Sequence, residues 1–164
     1  MKDESRSPGS PHGGPSSPFS GAVGSAYLQG PPRQVPGFAG LHQMMSLLLA
    51  ERVPQAGRVL VLGAGGGLGI KAPADAHAGW TSDGIDPSAG MLALARETIA
   101  PHGARVQLHQ GYVEAAPDGP FDGATCLHTF HFIAREYRFP TLQQLRSRLR
   151  PGAPLILAHI SFPQ

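Results

Sequence analysis

Cysteine is nearly absent from this chain: Cys126 is the single one among 164 residues. One thiol excludes an intramolecular disulfide and a Cys-x-x-Cys metal knuckle, and a reducing, cytoplasmic setting is the expectation that follows. Long apolar runs are missing too. The most apolar segment, Leu41 to Ala50, is broken by His42, Gln43 and Ser46, whereas a membrane-spanning helix takes roughly 20 apolar residues. Lys2, Asp3, Glu4 and Arg6 lead into Ser, Pro and Gly, so a secretory signal is not expected either. Charge of one sign is scarce: 13 Lys and Arg face 11 Asp and Glu, and the isoelectric point lies near 9.0. That excess is too mild and too dispersed to mark a nucleic-acid binder. Arg135, Arg138, Arg146, Arg148 and Arg150 do cluster near the C-terminus; a solvated helix face accounts for them, with an RNA or acidic substrate as the alternative.

Glycine and proline are plentiful, at 22 and 17 residues, and their placement divides the chain. Residues 1–25 hold Ser, Pro and Gly with few large side chains, too little apolar area to offset the entropy of ordering. A disordered tail is expected there, followed by one domain over residues 26–164, because 41% hydrophobic content in this length supports one core. Pro31, Pro32 and Pro36 predict an extended lead-in, and Gly37 a turn into a helix over Phe38 to Arg52, where Leu41, Met44, Met45, Leu48 and Leu49 recur at helical spacing. Strands are predicted at Arg58 to Leu62, Thr81 to Asp86, Arg105 to His109, Gly123 to Leu127 and Pro154 to Ile160. Helices are predicted between them at Leu68 to His77, Pro87 to Ile99 and Phe139 to Leu149. This alternation argues for a parallel α/β sheet with right-handed crossovers.

Chemistry gathers at the predicted strand ends, where open parallel sheets bind their ligands. Val59 to Gly67, VLVLGAGGG, is an apolar strand that breaks into glycines at 63, 65 and 67. Missing side chains let a backbone approach a ligand closely, although a plain structural turn has the same look. Asp86 ends the second strand, where its carboxylate can accept both hydroxyls of a ribose or, alternatively, cap the helix beginning at Pro87. His128 and His131 stand three apart, which invites a metal reading without an evident third ligand, or a base on the substrate side. Cys126, inside an apolar strand, reads as core.

Together VLVLGAGGG, GIDPSAGML, FDGATCLHTFHFI and LRPGAPLILAHIS resemble the successive signature segments of class I S-adenosylmethionine-dependent methyltransferases. The resemblance runs from about Gln34 to Ile160, and QVPGFAGLHQM is similar to the helix over the cofactor in the subgroup that includes carboxy-S-adenosylmethionine synthase. It implies a Rossmann-like open parallel sheet with helices on both faces, and S-adenosylmethionine as cofactor. Carried over by position, it places Phe38 near the methionine or sulfonium end, although Phe38 also reads as a hydrophobic staple. Gly63, Ala64 and Gly65 would meet the methionine portion, Asp86 the ribose, Pro87 and Met91 the adenine, Tyr112 and Val113 its ring and amine, and Leu127 and His128 the methionine part. Tyr112 stands where many relatives have Asp, and Val61 where they commonly have an acid.

The implied reaction is methyl transfer to a small-molecule acceptor by in-line displacement at the sulfonium, with no metal and no membrane. The alternatives are a non-catalytic or degenerate cofactor-fold partner and a modified-cofactor synthase. The family fold carries two further strands beyond the five read here. Strand five is therefore expected as an exposed edge, apparently truncated, to be covered by a homodimer or another partner.

Overall fold

The computed structural model describes residues 25–160. The tail expected over residues 1–25 lies outside them except for Ser25, which opens a 3₁₀ turn, Ser25–Gln29. Five strands, β1 (Arg58–Leu62), β2 (Thr81–Asp86), β3 (Val106–Gln110), β4 (Gly123–Leu127) and β5 (Leu155–Ala158), pair in parallel in the order β3-β2-β1-β4-β5. The chain builds outward from β1 on one side and then returns to build outward on the other. That reversal leaves a crevice beyond the carboxyl ends of β1 and β4.

The central strand explains the layering. Val59 and Val61 of β1 point into a core shared with Met45 and Leu49 of α2 (Phe38–Ala50), Ile70 of α3 (Leu68–Ala76) and Leu92 of α4 (Ala89–Thr98). Leu60 and Leu62 point the other way, against Phe121, Cys126 and Leu145 of α5 (Arg135–Arg148). A strand covered on both faces has to be apolar throughout, hence the unbroken VLVL. Burial pushes the Cys126 thiol up to about 12, so it is an inert part of this core.

Some boundaries differ from the sequence-based expectation. Gly30–Gln34 is a helical turn, α1, with prolines in its first positions, where a missing N–H leaves no bond unmade and the fixed φ suits the helix. α4 begins at Ala89 rather than Pro87, since the Ser88 hydroxyl accepts the N–H of Met91 at 3.2 Å. α5 begins a turn early, at Arg135, and runs through Pro140. Pro73 likewise lies inside α3, its ring fully buried.

Candidate functional site

A cavity of about 100 Å³ opens in the crevice at the switch point. Its floor is Val61 and Thr125, register partners on β1 and β4. Gly63, Ala64 and Gly65 carry the wall past the end of β1, and Leu127 and His128 past the end of β4. Tyr27, Phe38 and His42 line the opposite side. Among the described residues no Asp, Glu, Lys or Arg lines the cavity, so polar contacts to a ligand there come from backbone groups, Tyr27, Thr125 and the two histidines.

The glycine turn is built for approach. Gly63, Gly65 and Gly67 have φ of 80°, 51° and 88°, a left-handed region that costs other residues strain. At Gly63 a Cβ would run into the Thr129 side chain, whereas at Gly65 the nearest atom would be Met91 Cε at 3.5 Å. Gly63 is thus demanded by packing, and Gly65 leaves an open cradle. The turn is held by Asp86, whose Oδ2 accepts the Gly65 N–H and whose Oδ1 accepts the Ser88 N–H, both at 2.9 Å. Each oxygen keeps a further lone pair for a ligand hydroxyl. Burial raises the Asp86 carboxyl above its usual range, partly offset by these two N–H groups. The expected helix cap at this point is Ser88, not Asp86.

Tyr27 lies over the turn, with burial and the nearby Asp86 charge both raising its phenol. Beyond β4, His128 adopts φ 51° while its N–H bonds the carbonyl of Ala158 at 2.7 Å. Its ring stacks on Phe38 with centroids 6.2 Å apart, and Phe38 packs against His42 at 4.4 Å. His42 Nδ1 lies 2.9 Å from the Phe38 carbonyl, which can only accept, so Nδ1–H is the donor. Thr125 Oγ1 and both His128 ring nitrogens are buried with no hydrogen-bond partner among the described residues. Leaving such atoms unmatched costs about 1–3 kcal/mol each, so a polar ligand here relieves them.

Of the sequence-derived candidates, Phe38, Gly63, Ala64, Gly65, Leu127 and His128 converge on the cavity. Asp86 joins them through Gly65, and Met91 Cε lies beside the space that a Cβ on the same glycine would take. Pro87, Tyr112 and Val113 do not line the cavity. They sit at the neighbouring ends of β2 and β3, where the Gly111 N–H bonds the Asp86 carbonyl at 3.0 Å. Tyr112 is 45% exposed and Val113 buried. His128 and His131 do not share a helix face, because His128 precedes the 3₁₀ turn Phe130–Phe132. Among the described residues no three His, Cys, Asp or Glu side chains are grouped to hold a metal ion.

Tyr27, His42 and Thr125 are cavity residues that the sequence reading did not select. A polar Thr125 within an apolar strand, and His42 one helical turn after Phe38, were the available signals.

A parallel sheet with a switch-point cavity, a glycine turn and a carboxylate ending β2 defines the Rossmann-like class of nucleotide-cofactor domains. Within that class, the chain belongs to the methyltransferase-domain family, whose model matches residues 59–152. The cofactor of that family is S-adenosylmethionine. A curated relative, an uncharacterised protein of Synechococcus, is 34% identical over 110 residues, spanning 63% of this chain and 26% of its own. Among solved structures, S-adenosylmethionine-bound CalS10, an amino pentose methyltransferase of Micromonospora echinaspora, superposes with a TM-score of 0.71. It is 24% identical, covering 86% of this chain and 58% of CalS10. PKMT2 of Rickettsia typhi, in complex with AdoHcy, gives 0.57 at 23% identity over 64% and 22%. The chain thus spans about a quarter of the curated relative and somewhat over half of CalS10.

The cavity fits this cofactor on its own evidence. Gly65 offers the cradle, Asp86 keeps acceptor capacity, and Thr125 and His128 hold unmatched buried polar atoms.

Proposed function

We propose that this chain binds S-adenosylmethionine at the β1/β4 crevice and catalyses transfer of its methyl group to a small neutral acceptor. When bound, the cofactor supplies a methyl group already activated as a sulfonium, so the protein's work is alignment and exclusion of water. Effective molarities of aligned groups reach on the order of 10⁵ to 10⁸ M, which accounts for catalysis without an elaborate catalytic constellation. In this reading Asp86 takes the ribose hydroxyls, the Gly63 to Gly65 backbone passes along the methionine portion, and Tyr27 and Phe38 shield the cavity from solvent. The observation that carries it is the coincidence of an open glycine cradle, a strand-end carboxylate and unmatched polar atoms around one cavity. The single thiol and the absence, among the described residues, of any helix long and apolar enough to cross a membrane support a cytoplasmic place of work.

Isothermal calorimetry with S-adenosylmethionine and S-adenosylhomocysteine tests the reading directly. Saturable heat is expected with both. No binding of either at millimolar concentration rules it out.

One feature supports a second reading, a cofactor-fold partner protein without turnover: β1 carries apolar Val61 on the cavity floor, so the glycine turn has Asp86 of β2 as an anchor but no acidic one from β1. Binding of cofactor without methylation of any small acceptor favours this reading. Mass spectrometry of co-purified ligand separates both from synthesis of a modified cofactor.

A further inference from the structure

Strands β1 and β4 read RVLVL and GATCL, and Thr125 is the one hydroxyl between them. It is 1% exposed and stands beside Val61, its register partner, on the cavity floor. Valine fills the same β-branched space and suits a strand as well. Packing alone therefore does not call for an oxygen here. Burying that oxygen with no hydrogen-bond partner among the described residues costs free energy, which a ligand group reaching the floor returns.

The wall above the floor has largely used up its donors. The N–H groups of Gly63 and Ala64 both bond the Ile85 carbonyl, at 2.8 and 2.9 Å. That of Gly65 bonds Asp86, and that of Gly67 bonds the Ala64 carbonyl at 2.9 Å. What the turn offers a ligand is mainly carbonyl oxygen. Acceptors without formal charge suit a cationic donor that brings its counter-charge within the same ligand, since such a pair enters with no net charge. An α-amino acid end, with its ammonium and carboxylate, is a group of this kind.

We infer that Thr125 sets specificity for the amino-acid end of S-adenosylmethionine: its Oγ1 accepts a hydrogen bond from the α-ammonium, and this contact separates the cofactor from adenosine thioethers that lack the amino group. This rests on the S-adenosylmethionine reading above and adds to it the residue that recognises one end of the molecule. With the ribose at Asp86, the ligand chain runs past Gly65 and Gly63, and its far end arrives over Val61 and Thr125. Thr125 binds and takes no part in the transfer. Ser46 of α2 provides a comparison within the same protein. Its Oγ is also buried without a partner among the described residues, but it does not line the cavity.

The test measures Kd by calorimetry and Tm by thermal unfolding on the full chain, for the wild type, Thr125→Val, Thr125→Ser and Ser46→Ala. The ligands are S-adenosylhomocysteine and desamino-S-adenosylhomocysteine, the same molecule with hydrogen in place of the amino group. Without ligand, Thr125→Val is expected to melt no lower than the wild type and up to about 4 °C higher, because an unmatched buried oxygen is gone. It should nevertheless bind S-adenosylhomocysteine about 10–100-fold more weakly, the range of one hydrogen bond to a charged group. Its affinity for the desamino ligand should match that of the wild type. Thr125→Ser keeps the hydroxyl and should retain most of the affinity, and Ser46→Ala should leave both Kd values unchanged. Stability kept while affinity falls for one ligand is a pattern that a merely structural Thr125 does not produce. A lowered Tm in Thr125→Val, an unchanged affinity for S-adenosylhomocysteine, an equal loss for both ligands or an equal loss in Thr125→Ser overturns the inference alone. A wild type that binds neither S-adenosylmethionine nor S-adenosylhomocysteine at millimolar concentration overturns the methyltransferase reading and this inference with it.

Discussion

A methyl group added at Gly63 and one added at Gly65 meet different neighbours, although the two residues stand a position apart in the same turn. At Gly63 the added carbon collides with Thr129, whose hydroxyl is tied to the Leu127 carbonyl at 3.1 Å, and φ is 80°. Gly63→Ala is therefore expected to destabilise the fold by about 2–4 kcal/mol, measured by urea unfolding. At Gly65 the nearest atom is in ordinary contact at 3.5 Å, so only the left-handed backbone is charged for, about 1–2 kcal/mol. Gly65 itself lines the cavity. Gly65→Ala should thus lose more affinity for S-adenosylhomocysteine than stability, and calorimetry showing unchanged affinity would place the cofactor elsewhere.

Strand β2 is predominantly polar, TSDGID, yet holds a central place in the sheet. Asp83 makes this tolerable. It is 3% exposed, and its carboxylate accepts the Arg58 Nε–H at 2.9 Å and pairs with His109 Nε2 at 2.8 Å, joining β1, β2 and β3. The Arg58 and His109 side chains are 37% and 26% exposed, so removing Asp83 leaves them hydrated rather than stranded. Asp83→Ala is expected to cost about 1–3 kcal/mol, less than the 3–5 kcal/mol typical when a fully buried partner is abandoned. Helix α4 depends on a smaller device. Ser88→Ala removes its N-cap and should cost about 1 kcal/mol in the same assay.

The whole molecule should feel pH through its half-buried histidines. His128 and His131 both have folded pKa values lowered first by burial, so the unfolded chain binds more protons as pH falls past the usual histidine value. Stability is then full above that value and declines as pH drops through it toward the lower folded values. Urea midpoints at about pH 7.5 and 5.5 should show this loss, and His131→Asn should reduce it. Cofactor binding acts in the opposite direction. S-adenosylhomocysteine at about 100 times its Kd should add about 2.7 kcal/mol, seen as a raised Tm.

The amino-acid sequence alone determined β1, β2 and β4, which run over the residues predicted for them. β1 leaves a local trace, an apolar run that ends in glycines at 63 and 65, and polar β2 is marked by the carboxylate at its end, Asp86. Helix starts were less legible because they turn on one cap: Ser88, not Pro87, opens α4. Only the tertiary structure decided which residues share the cavity. Tyr27, His42, Thr125 and His128 come together because two crossovers on either side of β1 return distant segments to one strand end. Local periodicity records which face of an element is buried. It does not record what that face meets, and the loss of partners at Thr125 and His128 arises only from that meeting.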